Sequence, residues 1–257
     1  MSLKTAIVSR AAAYFTSEKR LKRNRAMTEK RRAAASAAHT IDYFHDAADP
    51  YAYLCAQVLP QLAGRYDLEL NVHLVAPPPD WAAPERERLM SYSRQDAERL
   101  ARRAGLTYRD PGRQPSPEAV QAANAALAAA IDAGRFVTEA AAISEALWSG
   151  AMPQAPAVEG LDARLAAGSA RREELGHYLG ATFHYGGEWY WGVDRLHHLE
   201  NRLVDLGARK DNAPDTVIFA PPPVPAGTGN AKNAELHYYL SFRSPYTYIA
   251  ARRAKAL

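Results

Sequence analysis

The chain has 257 residues, 47% hydrophobic and 23% charged, enough length and apolar content for a packed core, and it reads as an ordinary soluble protein. No apolar run approaches the ~20 residues of a membrane span, and the opening MSLKTAIVSRAAAYF lacks the apolar core of a secretory leader. A single cysteine, Cys55, excludes an internal disulfide and any intrachain dithiol, and suits a reducing, cytoplasmic setting.

The net charge of +4 is unevenly spread. Residues 1–40 hold ten Lys and Arg against Glu18 and Glu29, which is +8 and leaves the remainder at −4. Residues 1–38 are therefore read as a basic helical arm. It could pack an apolar face (Ile7, Ala11, Tyr14, Phe15) on the body or on a partner, or reach an acidic membrane surface. No aromatics interleave the charges, so sequence-specific nucleic-acid binding is not expected.

Next, Ile41 and Tyr43 mark a strand, and Asp49-Pro50 opens a helix with Leu54, Val58 and Leu62 on one face, closed at Gly64. Leu68, Leu70, Val72 and Leu74 alternate as a second strand, stopped by Pro77–Pro79. This is a β-α-β unit. Residues 85–176 then read as an all-helical block. Ala97, Leu100, Ala101 and Ala104 share one face, Ser116-Pro117 starts a helix that ends at Gly134, and Phe136 to Trp148 makes another. Gly186-Gly187 joins two aromatic strands as a hairpin. A last helix follows, with Leu196, Leu199, Leu203 and Leu206 and Gly207 at its end. Residues 208–234 form a Pro/Gly-rich linker.

The end of the chain repeats its beginning. IDYFHDAADPYAYLCA (41–56) and LHYYLSFRSPYTYIAA (236–251) share Tyr43/Tyr238, Pro50/Pro245, Tyr51/Tyr246, Tyr53/Tyr248 and Ala56/Ala251 at an offset of 195 residues. The expected layout is the arm, a domain over 39–207, the linker, and the start of a second, incomplete copy over 235–257. The order β-α-β, helical block, β-β-α is an α/β thioredoxin-like plan with an all-helical insertion.

The strand–Ser-Pro-Tyr-x-Tyr–helix pattern, together with GATFHYGGEWYWGVDRL (180–196), resembles the glutathione-dependent branch of the DsbA-like thioredoxin family. That branch comprises 2-hydroxychromene-2-carboxylate isomerase and the kappa-class glutathione transferases. The resemblance spans residues 40–207 and restarts at 236. It implies glutathione as co-substrate and a small, aromatic-derived substrate, with a homodimer as one assembly. In this branch a serine hydroxyl supports the thiolate of glutathione. Ser244, followed by Pro245, matches that serine in the second copy, while Asp49, followed by Pro50, stands there in the first. Asp49, taken as an ionised carboxylate, would repel a thiolate; otherwise it is simply a helix cap. The branch's cis-proline is matched by Ala181, beside Thr182, so a trans bond and an altered ligand cradle are expected. Asp194-Arg195 matches the pair whose Asp takes the γ-glutamyl amine, and Asp194 could equally cap a helix.

Three functions are consistent with these residues. The leading one is a glutathione-dependent isomerase or transferase with a degenerate first domain. The second is a non-catalytic thioredoxin-like binding or dimerisation module. The third, a thiol-disulfide oxidoreductase, lacks its Cys-x-x-Cys: Asp49 and Ala52 in the first copy, and Ser244 and Thr247 in the second, occupy the cysteine positions. The eight histidines offer no i, i+4 ligand pair, so no metal is expected.

Overall fold

The computed structural model describes residues 13–15, 17–155 and 158–221, and isolated positions elsewhere (7, 10, 235, 237–241, 247, 250, 251 and 254). Residues 1–221 and 222–257 form separate compact units.

In the first unit, strand β1 (Thr40–His45) crosses through helix α2 (Pro50–Arg65) to a parallel partner, β2 (Glu69–Leu74). The long apolar helix is the crossover that parallel pairing requires. On its other side β1 pairs antiparallel with β3 (Thr182–Tyr185), which turns into β4 (Glu188–Trp191), giving the order β2-β1-β3-β4. Gly186 and Gly187, at φ 54° and 83°, supply the two positive angles of the tight hairpin turn. Tyr43 lies opposite Phe183 in register, and their rings stack at 4.6 Å over the buried face of α2 (Leu54, Cys55, Leu59, Leu62). The helix runs one residue beyond Gly64, because extended Tyr66, not a left-handed glycine, caps it.

Helices α3 (Arg86–Ala104), α4 (Pro117–Asp132), α5 (Phe136–Trp148) and α6 (Leu161–Glu174) make up the insertion between β2 and β3. Ser116 caps α4 by accepting from the Ala119 N–H. α6 was not individually legible in the sequence. It crosses the end of β2 so closely that a Cβ at Gly168 would collide with the Leu74 carbonyl oxygen. A 3-10 turn (Val193–Arg195) leads into α7 (Leu196–Asp205).

Three expectations change. The arm helix α1 (Glu18–Ala34) docks by charge: Arg25 makes two bonds to Glu188 (2.8 and 2.6 Å), and Arg202 also reaches Glu188 at 3.1 Å. Of the expected apolar face, the described Ile7, Tyr14 and Phe15 are exposed and do not pack on the body. The start of the expected linker is held by the domain. Lys210 N–H bonds to Arg65 O, the Ile218 N–H bonds to Glu200, and Phe219 is buried under Arg103 at 4.8 Å. In the second unit, the strand expected ahead of Ser244-Pro245 is absent from the described residues 237–241, while positions 247, 250, 251 and 254 are helical. No strand borders that segment among the described residues of the unit, and an unpaired strand has nothing to hold it.

Candidate functional site

The site grows from the turn between β1 and α2. Asp46 Oδ1 accepts from the Ala48 N–H, and Asp49 Oδ1 accepts from the Tyr51 N–H, each at 2.9 Å. The second bond is the helix cap that Asp-Pro predicts. Opposite them lies Gly180, where an added Cβ would stand 2.6 Å from Asp46 Cβ and 3.3 Å from Asp49 Oδ2. Both acids therefore press against this loop, and only glycine leaves room.

The helical insertion closes the space in front of the acids. Leu89, Met90 and Tyr92 of α3, with Pro77 and Pro78, bound a cavity of about 280 Å³ that ends on Asp46, Asp49 and Trp191. Arg86 also lines it but is already engaged, by Pro78 O and Asp80, each at 2.7 Å. Tyr51 donates to Asp96 Oδ2 at 2.8 Å and sets its ring edge-on to Trp191 at 5.4 Å.

Burial dominates the electrostatics. It raises the Asp49 carboxyl to about 8, with the Asp46 charge adding to the rise and the Tyr51 N–H opposing it. Burial also raises Asp46, to about 6, against the Ala48 N–H and the charges of Arg172 and Arg86. Burial and mutual repulsion thus favour a single shared proton on the pair near neutral pH, with the stronger upward push on Asp49. Asp49 caps its helix, as one of the two expectations had it, and its desolvation works against the ionised, repelling form. Behind it, Cys55 is fully buried, with Sγ 3.9 Å from Ala181 O. Burial and the nearby Asp49 push its thiol well up, so it stays protonated. His45, also fully buried, is lowered to about 3 and is neutral.

The structure brings some of the expected site residues together and separates others. Asp49 and Pro50 line the cavity. Ala181 and Thr182 sit fully buried behind its wall, where the Ala181 carbonyl accepts from the Gly192 N–H at 2.9 Å and Thr182 Oγ1 donates to Leu179 O at 3.2 Å. The bond before Ala181 is trans, as expected, and Ala181 has φ 53°. Asp194 caps no helix; its carboxylate pairs with Arg195 at 3.0 Å. That pair lines an adjoining cavity of about 240 Å³, which shares Tyr51, Tyr92 and Trp191 with the first. Ser244 and Pro245 lie outside the described residues. Sequence reasoning missed Asp46, Arg86, Tyr92 and Gly180; Asp46, three residues before Asp49 across one turn, was the only one with a local signal. Among the described residues, no group of His, Cys, Asp and Glu is placed to hold a metal. His73 instead turns to Asp42 at 2.8 Å.

A parallel β1-α2-β2 unit, an antiparallel β3-β4 hairpin on the far side of β1, a closing helix and an insertion between the halves define a thioredoxin-like fold of the DsbA-like, helix-inserted kind. No family model and no curated protein sequence matches the chain. Among solved structures it is similar to a 2-hydroxychromene-2-carboxylate isomerase, at 19% identity over 65% of this chain and 96% of that one, with a TM-score of 0.45. It is likewise similar to a probable DsbA oxidoreductase from Streptomyces coelicolor, at 15% identity over 73% and 97%, also with a TM-score of 0.45.

Proposed function

We propose that the cavity at the head of α2 is the active site of a glutathione-dependent isomerase or transferase acting on a small, aromatic-derived molecule in the cytoplasm. One observation carries this reading. A largely apolar cavity opens on the adjacent carboxyl groups of Asp46 and Asp49, where desolvation favours the protonated form.

The donor set fits the thiol end of glutathione. When bound there, glutathione would supply a nucleophilic thiolate. Asp49, in the serine position of the branch motif, would donate its hydrogen bond to the sulfur, and its neutrality would leave the Asp46 charge as the one carboxylate repulsion to offset. Asp46 carries the pair's remaining charge and keeps the proton on Asp49. Leu89, Met90 and Tyr92 give the cavity an apolar wall beside that bond. Asp194 is the residue available to the γ-glutamyl amine, and taking it means exchanging the Arg195 contact for the ammonium.

The donor is lost when Asp49 ionises, so activity should fall as pH rises through about 8. Calorimetric titration with glutathione tests the reading directly. Binding in the millimolar range or tighter is expected, with Asp49→Ala raising the pKa of the bound thiol. No binding at millimolar glutathione would leave the non-catalytic module as the function. An unchanged thiol pKa would remove Asp49 from the chemistry. Thiol-disulfide exchange is disfavoured by Cys55, which is solitary, buried and protonated.

A further inference from the structure

We propose that a second cavity, between α6 and the chain that leaves β2, is a binding site for a compact aromatic monoanion. It has a volume of about 240 Å³, with Arg172, Ser169, Pro77, Trp81, His177 and Tyr178 in its wall. Only the wall at Pro77 is common to this cavity and the one beside Asp49.

Two independent features indicate the ligand. The first is Arg172, which is only 4% exposed. Its Nη2 donates to Ala76 O at 3.1 Å, yet Nε and Nη1 are buried without a hydrogen-bond partner among the described residues. A guanidinium holds its charge even when buried, so leaving two of its nitrogens unpaired is costly and an incoming acceptor recovers that cost. The neighbouring charges, Asp46 and the exposed Glu173, act on Arg172 through space without a hydrogen bond to it. The second feature is Trp81, 72% exposed and held edge-on against Tyr178 at 5.1 Å. Tyr178 in turn stacks on His177 at 5.5 Å. An indole left this open beside two further flat rings is a surface for another ring.

His177 is kept neutral by burial and by the Arg172 charge, and its Nδ1 accepts from the Leu179 N–H at 3.2 Å. The site thus offers one buried cation, a planar apolar wall and room for a ligand of about the size of a substituted benzene, with the exposed Glu173 carboxylate at its edge the one opposing charge in its lining. Ser169 Oγ is already used, accepting from the Ala76 N–H at 3.0 Å, and fixes the loop to α6.

The test is titration of the full chain with benzoate and with its neutral analogue benzamide, read by calorimetry and tryptophan fluorescence. Benzoate should bind at least about tenfold more tightly than benzamide, the size of a hydrogen bond to a charged group. Trp81→Ala, at an exposed position, should weaken benzoate about fivefold or more, as for a lost aromatic contact. Arg172→Gln should erase the preference for benzoate. Should that variant fail to fold, the benzamide comparison and Trp81→Ala decide alone. Tyr92→Ala, which alters only the cavities beside Asp49 and Asp194, should leave benzoate affinity unchanged. Equal binding of benzoate and benzamide overturns the proposal, as does indifference to Trp81→Ala or a comparable loss with Tyr92→Ala.

Discussion

Helix α2 has an acid near each end, half-buried at its head and fully buried at its foot, and the two are treated oppositely. Near its C-terminus, Glu200 on α7 is fully buried and well partnered. Tyr66 OH donates to it at 3.1 Å, the Ile218 N–H at 3.0 Å, and Arg65 stands at 4.0 Å. At the N-terminus, Asp49 has one backbone N–H and, for a neighbour, a second acid. Burial pushes the carboxyl of both upward, but around Glu200 the Ile218 N–H, Tyr66 and Arg65 all pull it back. The contrast separates fastening from chemistry. An acid whose oxygens are all engaged ties chain segments together, whereas one left short of partners holds a proton it can use.

The largest effect expected from this contrast is at Glu200. Glu200→Ala strands the Tyr66 hydroxyl and the Ile218 N–H and should lower the free energy of unfolding by about 3 kcal/mol. Urea unfolding at pH 7 measures it, and a change near zero would erase the distinction between the two ends. Asp49→Asn should move stability the other way, by about 1–3 kcal/mol at pH 7, because asparagine caps as well and carries no ionisable group. The sign follows from the native pKa of about 8 against an ordinary 3.8. Between those values the native state binds more protons than the unfolded one, so wild-type stability falls as pH rises, and the variant should lose that slope. An unchanged slope in the variant would mean that Asp49 is already ionised in the native protein. The smallest effect is Tyr66→Phe, which removes one of the bonds to Glu200 and should cost about 1 kcal/mol by the same unfolding measurement.

The fold was legible wherever local chemistry and period agreed. The Asp-Pro start of α2, the Ser-Pro start of α4 and the Gly-Gly hairpin each carry their geometry in a few adjacent residues. α6 was not, since it begins after a left-handed Gly160 without a side-chain cap and buries little beyond Leu161, Gly168 and Arg172. Asp49 was legible as a position but not as a chemical state. Its charge is set by Asp46 and by the walls that α3 and Gly180 add, and those are 37 and 131 residues away in sequence at Arg86 and Gly180. Arg172 was invisible for the same reason: a helical arginine reads as solvated until the fold buries it.

The backbone at Ala181 also limits what this loop can become. Proline's ring holds φ near −65°, whereas Ala181 sits at φ 53° with its carbonyl already bonded to the Gly192 N–H. A single exchange to proline therefore cannot be seated; the loop would first have to turn over and surrender that bond. Glycine can take this place without backbone strain, because it accepts this angle. A loop built on proline at this position and the present loop are thus two separate solutions with no one-residue path between them.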